Sequence, residues 1–228
     1  MSAMKNKPLP GARSDNVFFT SDTHFSHARI MDLCPETRAH ADVDAMNESI
    51  IGTINAEVPA DATLFHLGDV ALGGWKNSVS GNVSRLNVRN RVLFPGNHDI
   101  SHPLDKRHAR EDVREAYSVF DNKIGNNVFW TRLPSMVNGL IPFINAENPV
   151  IGITMSHFPM TGLESDDRHH EWYMPDIGQQ LHLCGHVHDR WAVNWTPDRS
   201  VLNVNVGWDA WERPLSLSEV LDIFRDFG

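Results

Sequence analysis

The sequence predicts an α/β fold, because short apolar runs alternate with a stretch of helical periodicity along the chain. Its 228 residues, 41% of them hydrophobic, are enough for one domain with a sizeable core. Several of the apolar runs end in a loop that carries carboxylates or imidazoles. Because parallel strands end at one edge of a sheet, these loops are expected to meet there. We therefore expect a flexible lead-in at residues 1–15 and a single domain at residues 16–228.

The composition excludes several classes of protein. The formal net charge is −9, so the chain lacks the basic footprint of a protein that grips a long nucleic-acid duplex. Cys34 and Cys184 are far apart and form no CxxC pair, which favours two reduced, buried thiols over a zinc ribbon. The N-terminal residues lack the apolar core of a secretory signal, and no run is long enough to span a bilayer. We expect a cytoplasmic protein without a membrane partner.

The first half of the chain contains three predicted strands and one clear helix. Apolar runs bounded by turn residues are predicted as strands at residues 17–21, 63–67 and 92–94. Apolar residues recur at helical spacing from Asp42 to Val58, with Asp42 or Asp44 as the N-cap. A shorter helix is expected to end near Leu86.

The second half is predicted to contain one further helix-compatible stretch, several strands and a C-terminal helix. Residues 105–117 are compatible with a helix, and residues 126–142 are typical of a hairpin region. Further strands are predicted at residues 150–156, 181–184, 191–195 and 201–206. An amphipathic helix is expected at residues 218–227, with Ser216 or Ser218 as its N-cap. The loop at 161–176 is interpreted as solvated, although it could also cover a site and contact a substrate.

Side chains of the types that bind metal ions follow five of the predicted strands. They are Asp22 and His24, then Asp69, then Asn97 and His98, then His157, and finally His186 and His188. Carboxylates combined with imidazoles suit Zn, Fe, Mn or Ni. The set is too large for one closed four-coordinate site. It is the right size for two metal ions that share a bridging carboxylate. Asp22-x-His24 and Gly68-Asp69 alone are also typical of ordinary turns, and Gly96-Asn97-His98-Asp99 alone could be a hairpin loop. His186-x-His188 is a more specific ligand signal, because both side chains lie on one face of an extended segment. Five such segments in succession predict a metal centre.

A pair of metal ions has a well-defined chemistry. Two ions about 3.5–4 Å apart can clamp a phosphate and activate a water molecule. An imidazole that is not a ligand could then protonate the leaving group.

The motifs in this order resemble those of the calcineurin-like metallophosphoesterase superfamily. They are Asp22-x-His24, Gly68-Asp69, Gly96-Asn97-His98-Asp99, a single His157, and Gly185-His186-x-His188. The segments 20–27 and 205–214 also look like those of its small bacterial and phage members. This resemblance implies a four-layer α/β/β/α sandwich of two mixed β-sheets flanked by helices.

The resemblance also implies a ligand set for two metal ions. The first ion would be held by Asp22, His24 and His188, the second by Asn97, His157 and His186, and both by Asp69 as the bridge. The ions would be Mn, Fe, Zn or Ni, and the sequence does not choose among them.

A metal-activated hydroxide would then attack phosphorus, and His98 would assist the leaving group. Asp99 would orient His98. His27 and Asn97, together with His98, are expected to contact the substrate phosphate.

The other histidines and one arginine receive simpler interpretations. His66 and His182 alternate with apolar residues and are predicted to be buried in the core. His40, His102 and His108 are predicted to be surface residues. Arg38 is expected either to contact a phosphate or to be exposed after a helix.

The implied activity is hydrolysis of a phosphodiester, a phosphomonoester or both, on a small phosphoester or nucleotide. A nuclease or a nucleotide-specific phosphodiesterase is one alternative. A binding scaffold that no longer catalyses is another, and the full set of ligand-type residues argues against it.

Overall fold

The computed structural model describes residues 16–72, 75–102, 105–120, 139–145, 148–160, 167–173, 176 and 178–227. The lead-in predicted at residues 1–15 lies outside these ranges, as does most of the hairpin region predicted at 126–142.

The described residues form helices and strands that alternate in the first half of the chain, whereas most elements of the second half are strands. The helices are α1 (Ile30–Leu33), α2 (Val43–Glu57), α3 (Trp75–Val83), α4 (Glu111–Tyr117), α5 (Trp208–Trp211) and α6 (Leu217–Phe227). The strands are β1 (Val17–Thr20), β2 (Thr63–His66), β3 (Asn90–Leu93), β4 (Gly139–Asn145), β5 (Asn148–Met155), β6 (Leu181–Cys184), β7 (Val193–Trp195), β8 (Leu202–Asn205) and β9 (Leu215–Ser216). None of the helices in this part of the chain is long and apolar enough to cross a membrane.

The two longest helices begin at predicted caps. The carboxylate of Asp42 accepts a hydrogen bond from the backbone N–H of Ala45 at 2.8 Å, which caps α2. At α6, the hydroxyl of Ser216 accepts from the N–H of Glu219 at 3.3 Å, and the Glu219 carboxylate accepts from the N–H of Ser216 at 2.8 Å. This reciprocal pair is a capping box. Helix α4 begins later than predicted, at Glu111.

The strands form two mixed sheets. The first has the order β3-β2-β1-β9, in which β1, β2 and β3 are parallel and β9 is antiparallel. The second has the order β4-β5-β6-β8-β7, in which β5, β6 and β8 are parallel and the two edge strands are antiparallel.

Alternation along each strand divides the apolar side chains between two cores. Phe19 and Phe65 of the first sheet pack in one cluster with Leu183 and Val204 of the second, so this core lies between the sheets. Leu64 and Leu93 point the other way, into a cluster with residues of α2, α3 and α4. Helix α6 contacts β1 and β9 of the first sheet and β8 of the second. The predicted fold of two mixed sheets flanked by helices is therefore confirmed.

Two buried histidines are satisfied within the core, as predicted. The N–H of Gly68 donates to Nδ1 of His66 at 3.2 Å, and His66 Nε2 lies 2.9 Å from the hydroxyl of Thr23. His182 is bonded to the hydroxyl of Thr154 at 2.8 Å and to the carbonyl of Phe158 at 2.9 Å. The two cysteines are also free and buried.

The loops at the carboxyl ends of the two sheets meet. Ser21, just after β1, forms a parallel bridge with Gly207, just after β8. The N–H of Trp208 donates to the carbonyl of Ser21 at 2.9 Å. The backbone of Asp22 is bonded to Gly68, which follows β2, at 2.9 Å. These contacts place the polar loops of both sheets along one edge.

Candidate metal centre

Each of the seven predicted ligands lies in a loop that follows a parallel strand. Asp22 and His24 follow β1, Asp69 follows β2, Asn97 follows β3, His157 follows β5, and His186 and His188 follow β6. The edge where the two sheets meet therefore collects all seven side chains.

Asp69 occupies the middle of this collection. Its Oδ2 lies 3.6 Å from Nε2 of His24 and 3.6 Å from Nε2 of His157. The Nε2 atom of His98 is 3.9 Å from the same oxygen. The other carboxylate oxygen accepts from the backbone N–H of His98 at 2.9 Å, so the direction of the side chain is fixed.

The surrounding ligands fall into two groups that share Asp22. The ligand atoms of Asp22, His24 and His188 all lie within 4.8 Å of one another, and so do those of Asp22, Asp69 and His157. Asn97 joins the second group, because its Oδ1 is 3.2 Å from Nε2 of His157.

Hydrogen bonds select the free ring nitrogen of two histidines. The Nδ1–H of His157 donates to the carbonyl of Leu67 at 2.8 Å, which leaves Nε2 toward Asp69. The ring of His186 lies 5.2 Å from that of His157, and its Nε2–H donates to the carboxylate of Asp167. This leaves Nδ1 of His186 as the atom that could bind a metal ion.

The pKa shifts and the unpaired polar atoms of the cluster indicate a site that a bound cation would stabilise. Burial raises the pKa of Asp69 well above its usual value, and the neighbouring charge of Asp22 raises it further. Burial lowers the pKa of His24, so this imidazole is neutral near pH 7. In the described part of the chain, Oδ1 of Asp22 and both ring nitrogens of His24 are buried without a hydrogen-bond partner. Buried polar atoms of this kind are costly unless something binds them. The residues therefore fit a metal site.

The backbone at the site is unusual. Five of the seven predicted ligands have a left-handed backbone, with φ values of 54° at Asp22, 47° at His24, 53° at Asp69, 72° at His186 and 50° at His188. Such conformations are uncommon outside glycine, and they turn the chain sharply after each strand. Local backbone strain of this kind is found at functional sites.

Two glycines allow the loops to approach one another. A Cβ atom at Gly96 would lie 2.2 Å from Oδ1 of Asp69, and one at Gly185 would lie 2.2 Å from Oδ2 of Asp22. Real Cβ atoms do not approach that closely. The glycine at each position is therefore required by the packing of the site.

The carboxylate of Asp99 is surrounded by backbone N–H groups. Its carboxylate accepts from the backbone N–H groups of Asp69 at 2.7 Å, Val70 at 3.1 Å and Gly96 at 2.8 Å. It also accepts from the hydroxyl of Tyr117 at 3.2 Å. Within the described structure, Asp99 therefore holds the loops after β2 and β3 together. That it orients His98 stays a prediction. Burial, with the charge of Asp69, raises the pKa of Asp99 to about 7.

His98 and His27 lie beside the predicted ligands. The side chain of His98 is 36% exposed, and its ring centre is 5.6 Å from that of His24. Burial and the nearby His157 lower the pKa of His98 to about 4. His27 is half-buried, with its ring centre 5.2 Å from His24 and 6.4 Å from His98.

A cleft opens over the cluster. It has a volume of about 210 Å³ and is lined by Asp69, Asn97, His98, Asp167, Arg168, His169, His186, Val187, His188 and Arg190. The loop at 161–176, interpreted from the sequence as solvated, contributes three of these residues. The hydrogen bond from His186 to Asp167 fastens the loop to the site. Residues 161–166 and 174–175 of the loop lie outside the described structure.

The structure corrects two predictions of exposure. Arg38 is only 1% exposed and forms an ion pair with Asp209, with Nε 2.6 Å from Oδ1. His102 is 3% exposed, and its ring stacks on Trp172 at 4.9 Å. Both polar side chains are buried because each packs against a partner that is distant in the sequence.

Asp209 is the main residue that the sequence interpretation missed. Its Oδ2 accepts from Nδ1 of His188 at 2.8 Å. Burial acts to lower the pKa of His188, but the bonds to Asp209 and Cys34 and the charge of Asp22 outweigh it and raise the pKa to about 11. A signal was present in the sequence, because Asp209 lies shortly after a predicted strand as Asp69 does, although Trp208 separates it from Gly207.

Comparison with known proteins agrees with this geometry. The family model of the calcineurin-like phosphoesterases matches residues 16–190. The chain belongs to the calcineurin-like phosphoesterase family. Members of this family are metal-dependent phosphoester hydrolases that generally hold two divalent metal ions. The ligand-type cluster described above lies within the matched residues.

This chain is similar in sequence to two phage proteins. The Gene 66 protein of Mycobacterium phage L5 is 29% identical over 211 residues, which cover 91% of this chain and 93% of the phage protein. The Gene 66 protein of Mycobacterium phage D29 is 27% identical over 216 residues, which cover 92% and 96%. Among solved structures, the protein of unknown function AQ665 from Aquifex aeolicus is similar in fold, with a TM-score of 0.59 and 21% identity. The match covers 91% of this chain and 98% of that one.

Proposed function

We propose that this protein is a phosphoester hydrolase that depends on two metal ions and acts on phosphodiesters, phosphomonoesters or both. The observation that carries the proposal is the position of Asp69, whose Oδ2 lies 3.6 Å from a histidine of each ligand group. A carboxylate between two sets of imidazole ligands supports the proposal, because it could bridge two metal ions at the separation that two-metal hydrolases use.

The proposal assigns a ligand set to each ion. Asp22, His24 and His188 would hold the first ion, Asn97, His157 and His186 the second, and Asp69 both. The bound ions would supply Lewis-acid activation of water and neutralise the charge on the phosphoryl oxygens.

The residues of the chain have two further tasks in this proposal. The first is to contact the phosphate, which we assign to His98, Asn97 and His27. His98 lines the cleft, and its lowered pKa leaves a neutral ring that can donate a hydrogen bond to a phosphoryl oxygen. The approach of an anionic phosphate favours protonation of the ring, so we also assign to His98 the transfer of a proton to the leaving oxygen.

The second task is to hold the loops at a fixed separation. Asp99 does this through three backbone N–H groups from the loops after β2 and β3. We therefore propose that Asp99 acts on His98 through the backbone of the loop that carries it.

The rim of the cleft favours a small anionic substrate. Arg168 and Arg190 line it, in a chain whose net charge is −9. A small phosphoester or a nucleotide fits this local positive charge, whereas a long duplex would meet the acidic remainder of the surface. A nuclease or nucleotide-specific phosphodiesterase remains the alternative within the same chemistry.

The proposal is tested by metal analysis and hydrolysis on one preparation. The purified protein should bind two equivalents of Mn²⁺ and hydrolyse bis(p-nitrophenyl) phosphate, p-nitrophenyl phosphate or both. Chelation should abolish turnover, and Mn²⁺ or another divalent ion should restore it. Activity that survives complete removal of metal would refute the proposal. Metal binding below stoichiometry with no turnover on any phosphoester would favour the scaffold alternative instead. Hydrolysis rates on a panel of nucleotides and short single-stranded nucleic acids, measured at the same salt concentration, distinguish a nucleotide phosphodiesterase from a nuclease.

A further inference from the structure

A buried ion pair lies directly behind the first ligand group. Arg38 is 1% exposed and Asp209 is 4% exposed. The guanidinium binds the carboxylate through two parallel contacts, Nε to Oδ1 at 2.6 Å and Nη2 to Oδ2 at 3.0 Å. The hydroxyl of Thr37 donates to Oδ1 at 2.7 Å. This fork geometry fixes the carboxylate in one orientation.

The carboxylate of Asp209 in turn holds His188. Its Oδ2 accepts from Nδ1 of the imidazole at 2.8 Å. The ring of His188 stacks on that of His24 at 5.2 Å, and the two residues share a ligand group with Asp22. With Nδ1 engaged, Nε2 is the nitrogen of His188 that remains for a metal ion. A carboxylate on the remote nitrogen of a ligating histidine fixes its tautomer and ring orientation.

The remaining donors of Arg38 reach the loop that carries the other two ligands. Nη2 donates to the carbonyl of Asp22 at 2.6 Å, and Nη1 donates to the carbonyl of Thr23 at 3.0 Å. These carbonyls belong to the sharp turn between Asp22 and His24, where both residues have a left-handed backbone. One guanidinium thus connects the loop after β1 with Asp209, which follows β8 in the other sheet.

We infer that Arg38 and Asp209 are positioning residues for the first metal site, Asp209 by orienting the ring of His188 and Arg38 by tying Asp209 to the Asp22–His24 turn. The inference rests on the proposed function only in taking His188, Asp22 and His24 as metal ligands. A buried ion pair is a weak source of stability by itself, because desolvation offsets the attraction. The contacts of this pair are directed to the ligand loops of both sheets, which is the arrangement that positioning requires.

The experiment compares Asp209→Asn with the wild-type protein, both loaded with Zn²⁺. Asparagine keeps the shape of the side chain and removes its charge. Zn²⁺ affinity is measured by competition with a chromogenic chelator, and the imidazole nitrogens are observed by NMR on ¹⁵N-histidine-labelled protein. Glu48→Gln is the matched control, because Glu48 forms an Arg–carboxylate pair with Arg85 (Nη1 to Oε1 2.7 Å) on the exposed surface.

The expected result is a loss at one site only. Asp209→Asn should weaken binding of one of the two zinc ions by about 10- to 100-fold and leave the other unchanged. The Nδ1–H signal of His188, assigned through His188→Gln, should shift or broaden in Asp209→Asn. Arg38→Lys should also weaken one site, because lysine cannot form the fork or reach both loops. Glu48→Gln should bind both ions as the wild-type protein does.

Two outcomes would overturn the inference. One is unchanged affinity at both sites in Asp209→Asn with an unchanged His188 spectrum. The other outcome is observed on the wild-type protein itself. Zn²⁺ bound to Nδ1 of His188 would show that Asp209 does not hold that nitrogen. A wild-type protein that binds no divalent ion would refute the proposed function instead. The His188 spectra of the metal-free proteins would then still decide whether Asp209 orients the ring.

Discussion

Replacing Gly96 by alanine should disable the metal centre with little effect on the rest of the fold. The added Cβ would lie 2.2 Å from Oδ1 of Asp69, 2.8 Å from its backbone nitrogen and 2.8 Å from Cε1 of His157. The shortest of these contacts must open by about 1 Å to reach van der Waals distance. Two predicted ligands would move, or the loop that carries Asn97 and His98 would. A displacement of about 1 Å at a catalytic site can lower turnover by about 100-fold.

The assay measures three quantities on Gly96→Ala: turnover of a chromogenic phosphoester, metal stoichiometry, and the free energy of unfolding in urea. Turnover should fall by about 100-fold and at least one metal ion should be lost. Overpacking should cost about 1–3 kcal/mol of stability. Gly52→Ala is the control, because Gly52 lies in α2 and a Cβ there meets nothing within 4 Å. That variant should be fully active and more stable by about 0.5–1 kcal/mol.

Wild-type turnover with two bound metal ions in Gly96→Ala would refute the argument from close approach. A Gly96→Ala variant that is less stable but keeps both metal ions would also contradict the argument. In that case the steric strain would have been relieved by residues other than Asp69.

Three further predictions concern single side chains. His98→Gln should lower turnover by about 10²- to 10⁴-fold while the metal stoichiometry stays unchanged; loss of metal would show instead that His98 is a ligand. Burial lowers the pKa of His182 from the usual 6.5 to about 4, so the folded state resists protonation of this ring. The free energy of unfolding should therefore fall as the pH drops from about 6.5 to about 4. The metal-free His182→Asn variant should therefore lose less thermal stability between pH 7 and pH 5 than the metal-free wild-type protein; an equal loss would contradict this reasoning. Asp42→Ala should cost about 1 kcal/mol of stability by removing the cap of α2, without a change in turnover.

The strands and the ligand loops could be predicted because their signals are local. Each strand that precedes a ligand contains a short apolar run, and each ligand follows its strand within a few residues. The rule that parallel strands end together then brings Asp22, Asp69 and His157 to one edge without knowledge of any side-chain contact. For the same reason the alternation of His182 with leucines was enough to place it in the core.

The supporting residues could not be predicted because their partners are remote. Arg38 and Asp209 are 171 residues apart, and no local pattern connects them. Asp167 lies in a polar loop whose composition is typical of a solvated segment, yet it binds His186. The partners of Asp99 could not be predicted either. The motif identifies the residue, but its bonds to three backbone N–H groups depend on how two loops pack.

The left-handed backbone at five of the predicted ligands constrains how this site can be redesigned. Asn, Asp and His adopt positive φ more readily than other residues that carry a side chain, so the ligand types present satisfy the backbone and the metal together. A change of His24 or His188 to cysteine or glutamate, intended to alter metal preference, would meet a backbone penalty before any change in coordination. Exchange of ligands among Asn, Asp and His is therefore the accessible route to a different metal preference in this protein.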